Sequence, residues 1–126
     1  MIGQQLQRNG GHDWLEEIFN ARNVNYVVRR STIPGEPVEA ARLYDAGSGR
    51  VLRIETTEPG LMLYTANYIS TDRVMKGGVK YPLRAGVAME TQHFPDAPNW
   101  PHFDRATLMP KETFRSRTVF AFSVER

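Results

Sequence analysis

The chain has 126 residues, 40% of them hydrophobic, and a formal net charge of +2. This size and composition fit a single globular domain over residues 1–126 and exclude an intrinsically disordered chain. Cysteine is absent, which excludes a disulfide framework, a zinc–thiolate site and a thiol nucleophile. Basic and acidic residues are interleaved, as on a solvated surface, so we expect no nucleic-acid partner.

The sequence also predicts that the protein does not enter a membrane. No apolar segment approaches the roughly 20 residues that a membrane-spanning helix needs. Residues 1–11 are polar and lack the apolar core of a signal peptide. Together with the absence of cysteine, these features predict a cytoplasmic location.

Residues 12–22 are the one segment with a helical pattern. Trp14 and Ile18 lie four positions apart, so their side chains would share a helix face. Asp13, followed three residues later by Glu16, resembles a capping box. We therefore predict one short N-terminal helix.

Beyond this segment the hydrophobic period becomes two, which is typical of strands. A glycine-containing loop at residues 45–50 joins two such runs and predicts a hairpin. Residues 70–82 are polar and predict a long surface loop. The last run alternates so that its phenylalanines would face a core. The predicted strands are residues 23–31, 38–44, 51–57, 61–68, 83–91 and 114–124. The expected fold class is all-β, an antiparallel β-sandwich or part of one.

Glu90 is the residue on which a functional interpretation depends. It follows the apolar run Val87–Met89 at the expected end of a buried strand, where an unpaired charge is costly. One interpretation is a general base. The other is a structural carboxylate bound to a backbone amide or to an arginine such as Arg84.

The remaining titratable residues form no recognisable catalytic or metal-binding motif. Asp96 lies between prolines and is typical of a turn. Aromatic and amide side chains flank this region, as they would in a carbohydrate site, but the pattern alone favours aromatics in a β core. The histidines, none at a metal-ligand spacing, are His12, His93 and His102.

The segment Glu90–Asn99, reading ETQHFPDAPN, closely resembles the signature around the catalytic glutamate of aldose 1-epimerases, the galactose mutarotases. Further segments agree in the same order: Thr56–Leu61 with Tyr64–Asn67, Lys76–Gly78, Tyr81–Gly86, and Leu108–Pro110 with Glu112–Thr113 and Thr118–Val119. The resemblance runs from about Arg42 to Phe122 and implies the C-terminal portion of a mutarotase β-sandwich.

The resemblance implies a cofactor-free isomerase that interconverts the α and β anomers of free aldoses. Glu90 would be the general base that takes the proton from the anomeric hydroxyl. Asp13, Met62 and Gln92 would stand at substrate-binding positions. The family has a glutamine where this chain has Met62, and a thioether cannot donate that hydrogen bond.

Two departures from the family leave alternatives open. Gly10–Asp13 resembles a family segment whose aspartate binds sugar, but residues 14–22 then intervene, so Asp13 is either a sugar ligand or a helix cap. The family's catalytic histidines fall in an N-terminal part that this sequence does not match.

The isolated chain would then be inactive unless the acid comes from a separate N-terminal chain, a second copy of this chain or an unassigned residue. We expect self-association or an N-terminal partner chain, because a partial sandwich exposes apolar faces and strand edges. The alternative is a non-catalytic carbohydrate-binding or interaction module, a truncated mutarotase homologue.

Overall fold

The computed structural model describes residues 24–125, which form two antiparallel three-stranded sheets. The first sheet has the order β1-β4-β5, with strands β1 (Val24–Val27), β4 (Gly60–Tyr64) and β5 (Ala88–Gln92). The second has the order β2-β3-β6, with strands β2 (Val38–Tyr44), β3 (Arg50–Thr56) and β6 (Thr118–Val124). Two short 3₁₀ turns, Lys76–Gly78 and Ala97–Asn99, interrupt the long connections. The predicted all-β class is confirmed, while the predicted helix over residues 12–22 lies outside the described residues.

The β2–β3 hairpin forms because its loop satisfies its own backbone. The Asp45 carboxylate accepts hydrogen bonds from the backbone N–H groups of Gly47, at 3.3 Å, and Ser48, at 3.1 Å. Gly49 closes the turn with φ of +73°, and a Cβ there would lie 2.2 Å from the carbonyl oxygen of Glu125. Only glycine fits that approach, so the predicted hairpin is confirmed together with the reason for its glycine.

The two sheets pack through a small apolar core. Ile54 of β3 is completely buried, and it clusters with the buried side chains of Val28, Ala41 and Leu61. Val28 is held there because its N–H donates to the carbonyl of Pro59 at 2.8 Å. The core therefore lies between β2 and β3 on one side and β1 and β4 on the other.

A chain of threonine hydroxyls joins the sheets at one end of this core. The Thr118 hydroxyl of β6 lies 3.1 Å from that of Thr56 and 2.8 Å from that of Thr91. Thr56 is itself completely buried, and its hydroxyl accepts the N–H of Glu58 at 3.1 Å. Because Thr91 belongs to the first sheet, these bonds fix β5 against the second sheet.

One predicted strand boundary and one predicted burial are wrong. The strand predicted over residues 83–91 begins only at Ala88, because Pro82 precedes a turn and Arg84 has a φ of +63°. The phenylalanines of β6 were expected to face a core, but Phe120 is 53% exposed and Phe122 is 78% exposed. They lie on the same side as Ile54, beyond the area that the first sheet covers.

Candidate functional site

Three side chains form one row across the first sheet. Met62 of β4 pairs with Asn25 of β1 on one side and with Glu90 of β5 on the other. Residues directly opposite in an antiparallel sheet project to the same face, with Cβ atoms about 5 Å apart. Asn25, Met62 and Glu90 therefore form a continuous strip that we call the Glu90 row.

The Glu90 row points away from the core. Its neighbours along β4, Leu61 and Leu63, are buried at 4% and 9% exposure and face the other sheet. Side chains alternate along a strand, so Met62 between them faces outward. The next row adds Gln92 opposite Gly60 on that outward face. The structure thus brings Glu90, Met62 and Gln92, three of the four predicted site residues, together.

Glu90 is exposed and occupies the middle of β5, not the end of a buried strand as expected. Its neighbours Met89 and Thr91 take the inward positions, and the apolar run before it does not enclose its carboxylate. That carboxylate has no hydrogen bond or ion pair with any residue between 24 and 125. Arg84, the expected structural partner, instead donates from Nε to Oδ1 of Asn67 at 3.1 Å.

β5 holds this unbonded carboxylate in a fixed place. Thr91, the residue after Glu90, takes part in the hydroxyl chain to Thr118 and Thr56 of the opposite sheet. An inward anchor at one position fixes the outward direction of the residue before it. Glu90 is therefore a free carboxylate on a fixed backbone, as a base for an external substrate requires.

Asn25 is a member of the row that the sequence analysis did not select. Its side-chain oxygen Oδ1 is buried and accepts no hydrogen bond. Its amide occupies the space above Gly60, where a Cβ would lie 3.0 Å from both Nδ2 and Oδ1. Pairing of Asn25 with Met62 follows only from the β1–β4 register, and its own strand pattern carried no signal of it.

The segment after β5 forms a compact turn. Asp96 adopts φ of +62° and accepts hydrogen bonds from Nδ2 of Asn99 and from Nε1 of Trp100, the latter at 2.9 Å. This confirms Asp96 as a turn former. His102 packs against Trp100, with ring centroids 5.6 Å apart, and against Phe103, at 4.5 Å.

His93 contacts a buried carboxylate. Its Nδ1 lies 2.9 Å from Oε2 of Glu58, a residue only 7% exposed. That oxygen is buried and accepts no hydrogen bond among the described residues, so the two side chains are in close polar contact without a hydrogen bond between them. Sequence reasoning missed this pair because its members are 35 positions apart (93 minus 58) and meet only through the β4–β5 register.

Glu58 and His93 line a cleft of about 560 Å³, together with residues 30–36 and Phe114. Glu90, Met62 and Gln92 do not line it. We place the candidate site on the Glu90 row rather than in this cleft, because the row holds the free carboxylate. Within residues 24–125 the candidate site is thus an open sheet face.

Two residues named in the sequence analysis cannot be placed. Asp13 and His12 lie outside the described residues. Between residues 24 and 125, no group of three His, Cys, Asp or Glu side chains could hold a metal ion. In the same part of the chain, no helix is long and apolar enough to span a membrane.

Comparison with known proteins decides the family. A family profile described as aldose 1-epimerase matches residues 2–121. The chain belongs to the aldose 1-epimerase family. The resemblance of the Glu90–Asn99 segment is thereby confirmed, and the Glu90 row lies within the matched region.

Relatives in this family are named for sugar chemistry. The chain is 41% identical to galactose mutarotase of Sus scrofa over 106 residues, which is 84% of this chain and 30% of that protein. It is 44% identical to galactose mutarotase of Homo sapiens over 84 residues, 67% of this chain and 25% of that protein. It is 33% identical to aldose 1-epimerase of Escherichia coli over 89 residues, 68% of this chain and 25% of that protein. The chain therefore spans about a quarter to a third of the length of these relatives.

Proposed function

We propose that this chain contributes the base-bearing face of an aldose 1-epimerase, which interconverts the α and β anomers of free aldose sugars. The observation that carries the proposal is the free Glu90 carboxylate at the edge of the Glu90 row. Membership of a family whose relatives are named aldose 1-epimerase and galactose mutarotase supports the substrate class. We place the reaction in the cytoplasm, which the absence of cysteine favours.

The proposed reaction transfers two protons, one from the sugar to Glu90 and one from a general acid to the sugar. The Glu90 carboxylate accepts the proton of the anomeric hydroxyl, and a general acid gives a proton to the ring oxygen. The bond between C1 and the ring oxygen breaks, and its electron pair stays on that oxygen as a hydroxyl. The C1–C2 bond of the open aldehyde rotates, and ring closure with both proton transfers reversed gives the other anomer. No electrons leave the sugar, so the step needs no redox cofactor.

Other members of the outward face would hold the sugar. Gln92 carries an amide that can donate to and accept from sugar hydroxyls, whereas Asn25 can offer only its Nδ2 donor, because its Oδ1 is buried. Met62, between Asn25 and Glu90, offers an apolar contact for a C–H face of the ring. Asp13 remains a proposed hydroxyl ligand.

The general acid is not assigned to any histidine between residues 24 and 125. His93 contacts Glu58, and His102 packs on Trp100 and Phe103. We propose that the acid comes from a second copy of this chain, from a separate partner chain, or from a residue not yet assigned. Self-association or a partner chain is therefore part of the proposed function.

Polarimetry tests the base directly. Freshly dissolved α-galactose or α-glucose is followed by optical rotation with the chain and with Glu90→Gln, which keeps the shape but removes the basic carboxylate. A positioned base contributes roughly 100-fold or more to rate, so the variant should fall to the uncatalysed rate. Equal acceleration by both proteins would contradict the role of Glu90.

A second candidate function is a sugar-binding module without turnover. This function is favoured because His93 contacts Glu58 and His102 packs on Phe103, and neither ring is bonded to Glu90. Its signature is sugar binding by calorimetry together with no change in the rate of mutarotation. Gln92→Ala would then weaken binding, while the control Leu43→Ala, an exposed position in β2 of the other sheet, would leave it unchanged.

A further inference from the structure

β6 is an edge strand without the usual features that protect an edge. Among the described residues, it pairs with β3 on one side and with nothing on the other. Its sequence, TVFAFSV, contains no charge and no proline, which are the features that prevent edge-to-edge pairing in most sheets. An apolar edge of this kind is a template for another strand.

The backbone bonds of β6 show which residues face the free edge. The Glu125 N–H donates to the Gly49 carbonyl at 2.8 Å, and the Arg117 carbonyl accepts from the Thr57 N–H at 3.0 Å. Both bonds point towards β3. Because this direction alternates along a strand, Phe120 and Phe122 direct their N–H and C=O groups towards the free edge.

The side chains of these two residues also lack cover. Phe122 pairs with Leu52 of β3, and Phe120 pairs with Ile54, so both lie on the face that carries the core. Phe120 is 53% exposed and Phe122 is 78% exposed, and Val124 beyond them is 65% exposed. The free edge is thus bordered by an apolar strip on one face of the sheet.

We propose that β6 pairs with β6 of a second copy of this chain, antiparallel about a twofold axis at Ala121. This is the register that pairs the whole strand, since Ala121 is its central residue. Thr118 then lies opposite Val124 of the second copy, and Phe120 lies opposite Phe122 of the second copy. Each pair exchanges both backbone hydrogen bonds, and the two three-stranded sheets become one six-stranded sheet.

Charge complementarity at the ends supports this register. One residue before the strand is Arg117, and one residue after it is Glu125. The twofold axis places Arg117 opposite Glu125 of the second copy, twice in each dimer. Glu125 already bonds Arg42 of its own chain and is 55% exposed, so its carboxylate can accept a second cation. Opposite charges across a strand pair are stabilising.

This proposal deepens the self-association proposed above, and it does not depend on the chemistry of Glu90. Loss of mutarotation in Glu90→Gln with an unchanged dimer would support both the role of Glu90 as the base and the pairing of β6 strands. A monomer that still accelerates mutarotation would overturn the dimer alone.

Sedimentation of the full chain over a range of concentrations gives the first test. We expect a reversible dimer, and we expect Arg117→Glu to raise its dissociation constant roughly tenfold by placing like charges opposite each other. Arg115→Glu is the matched control, because it changes net charge equally but lies outside the paired segment. A monomer at all concentrations, or equal effects of the two variants, would overturn the proposal.

Amide hydrogen exchange gives a second test that needs no variant. The N–H of Ala121 points towards β3 and should be protected at every concentration. The N–H groups of Phe120 and Phe122 should become protected only as the dimer forms. Exchange at these two positions that does not change with concentration would overturn the proposal, because it would mean that the edge is either open or covered within one chain.

Discussion

Met62 lies directly opposite Glu90 on the neighbouring strand of one sheet. The relationship places a thioether beside the proposed base, at the position where the resemblance to aldose 1-epimerases implies a glutamine. A thioether is a weak hydrogen-bond acceptor and no donor, whereas an amide supplies both functions. The proposed sugar face of this chain therefore has one fewer strong hydrogen-bonding group next to Glu90 than the resemblance implies.

Restoring that group should strengthen sugar binding. Met62→Gln adds an amide to the Glu90 row, and one net hydrogen bond contributes about 0.5–1.5 kcal/mol. We expect the dissociation constant for galactose or glucose, measured by calorimetry, to fall by roughly 2- to 10-fold. Met62→Leu is the control, since it conserves volume without adding a polar group, and it should leave affinity unchanged. Equal affinities of the two variants would show that residue 62 does not face the sugar.

The apolar core depends on Ile54. Truncation to Ile54→Ala leaves a cavity at the one large aliphatic side chain that is completely buried among the described residues. We expect urea denaturation to show a loss of about 2–5 kcal/mol in the free energy of unfolding. Val27→Ala removes an apolar group that is 79% exposed and should change stability by less than about 0.5 kcal/mol. A small loss at Ile54 would mean that the two sheets do not pack as described.

The contact between His93 and Glu58 should be structural. His93→Ala would leave the Glu58 carboxylate, only 7% exposed, without its nearest polar side chain. Leaving a buried polar group without its partner costs about 1–3 kcal/mol, and the partial exposure of His93 places the expected cost at about 1–2 kcal/mol. His102→Ala, at an exposed position, should cost less in the same denaturation experiment. If the two variants are equally stable, the Glu58 contact contributes nothing.

Stability should fall in acid partly through the β2–β3 hairpin. The hydrogen bond from the Ser48 hydroxyl, followed by that from the Gly47 N–H, lowers the pKa of Asp45 below its ordinary value. The charged form is thus favoured by folding, so its contribution is present above the ordinary carboxyl pKa and is lost as pH falls through the lower folded value. Asp45→Asn should therefore flatten the decline of the melting temperature in that acid range. An identical pH profile for both proteins would contradict this origin.

Much of the fold could be predicted because it depends on local chemistry. The β2–β3 hairpin follows from the Asp45 and Gly49 loop, and the inward position of Ile54 follows from alternation along β3. The face on which Glu90 lies also follows from alternation once β5 is correctly bounded. The exposure of Glu90 could not be predicted, because the apolar residues before it do not show which positions of β5 the other sheet covers.

The relationships between distant segments could not be predicted from local patterns. The Glu90 row and the contact between Glu58 and His93 depend on strand register, and a slip of one residue would turn every side chain to the other face. The exposure of Phe122 has a similar cause. Its alternation correctly indicated the core-bearing face of the sheet, but the extent of the covering sheet is a property of other strands.

The most direct test of the central proposal is to locate the sugar by nuclear magnetic resonance. Backbone amide shifts of the full chain are followed during titration with galactose or glucose. The proposal predicts that the shift changes concentrate at Asn25, Met62, Glu90 and Gln92 and shrink in Gln92→Ala. Changes that concentrate instead around the cleft of Glu58 and His93, or no changes at saturating sugar, would contradict the assignment of the Glu90 row as the sugar-binding face.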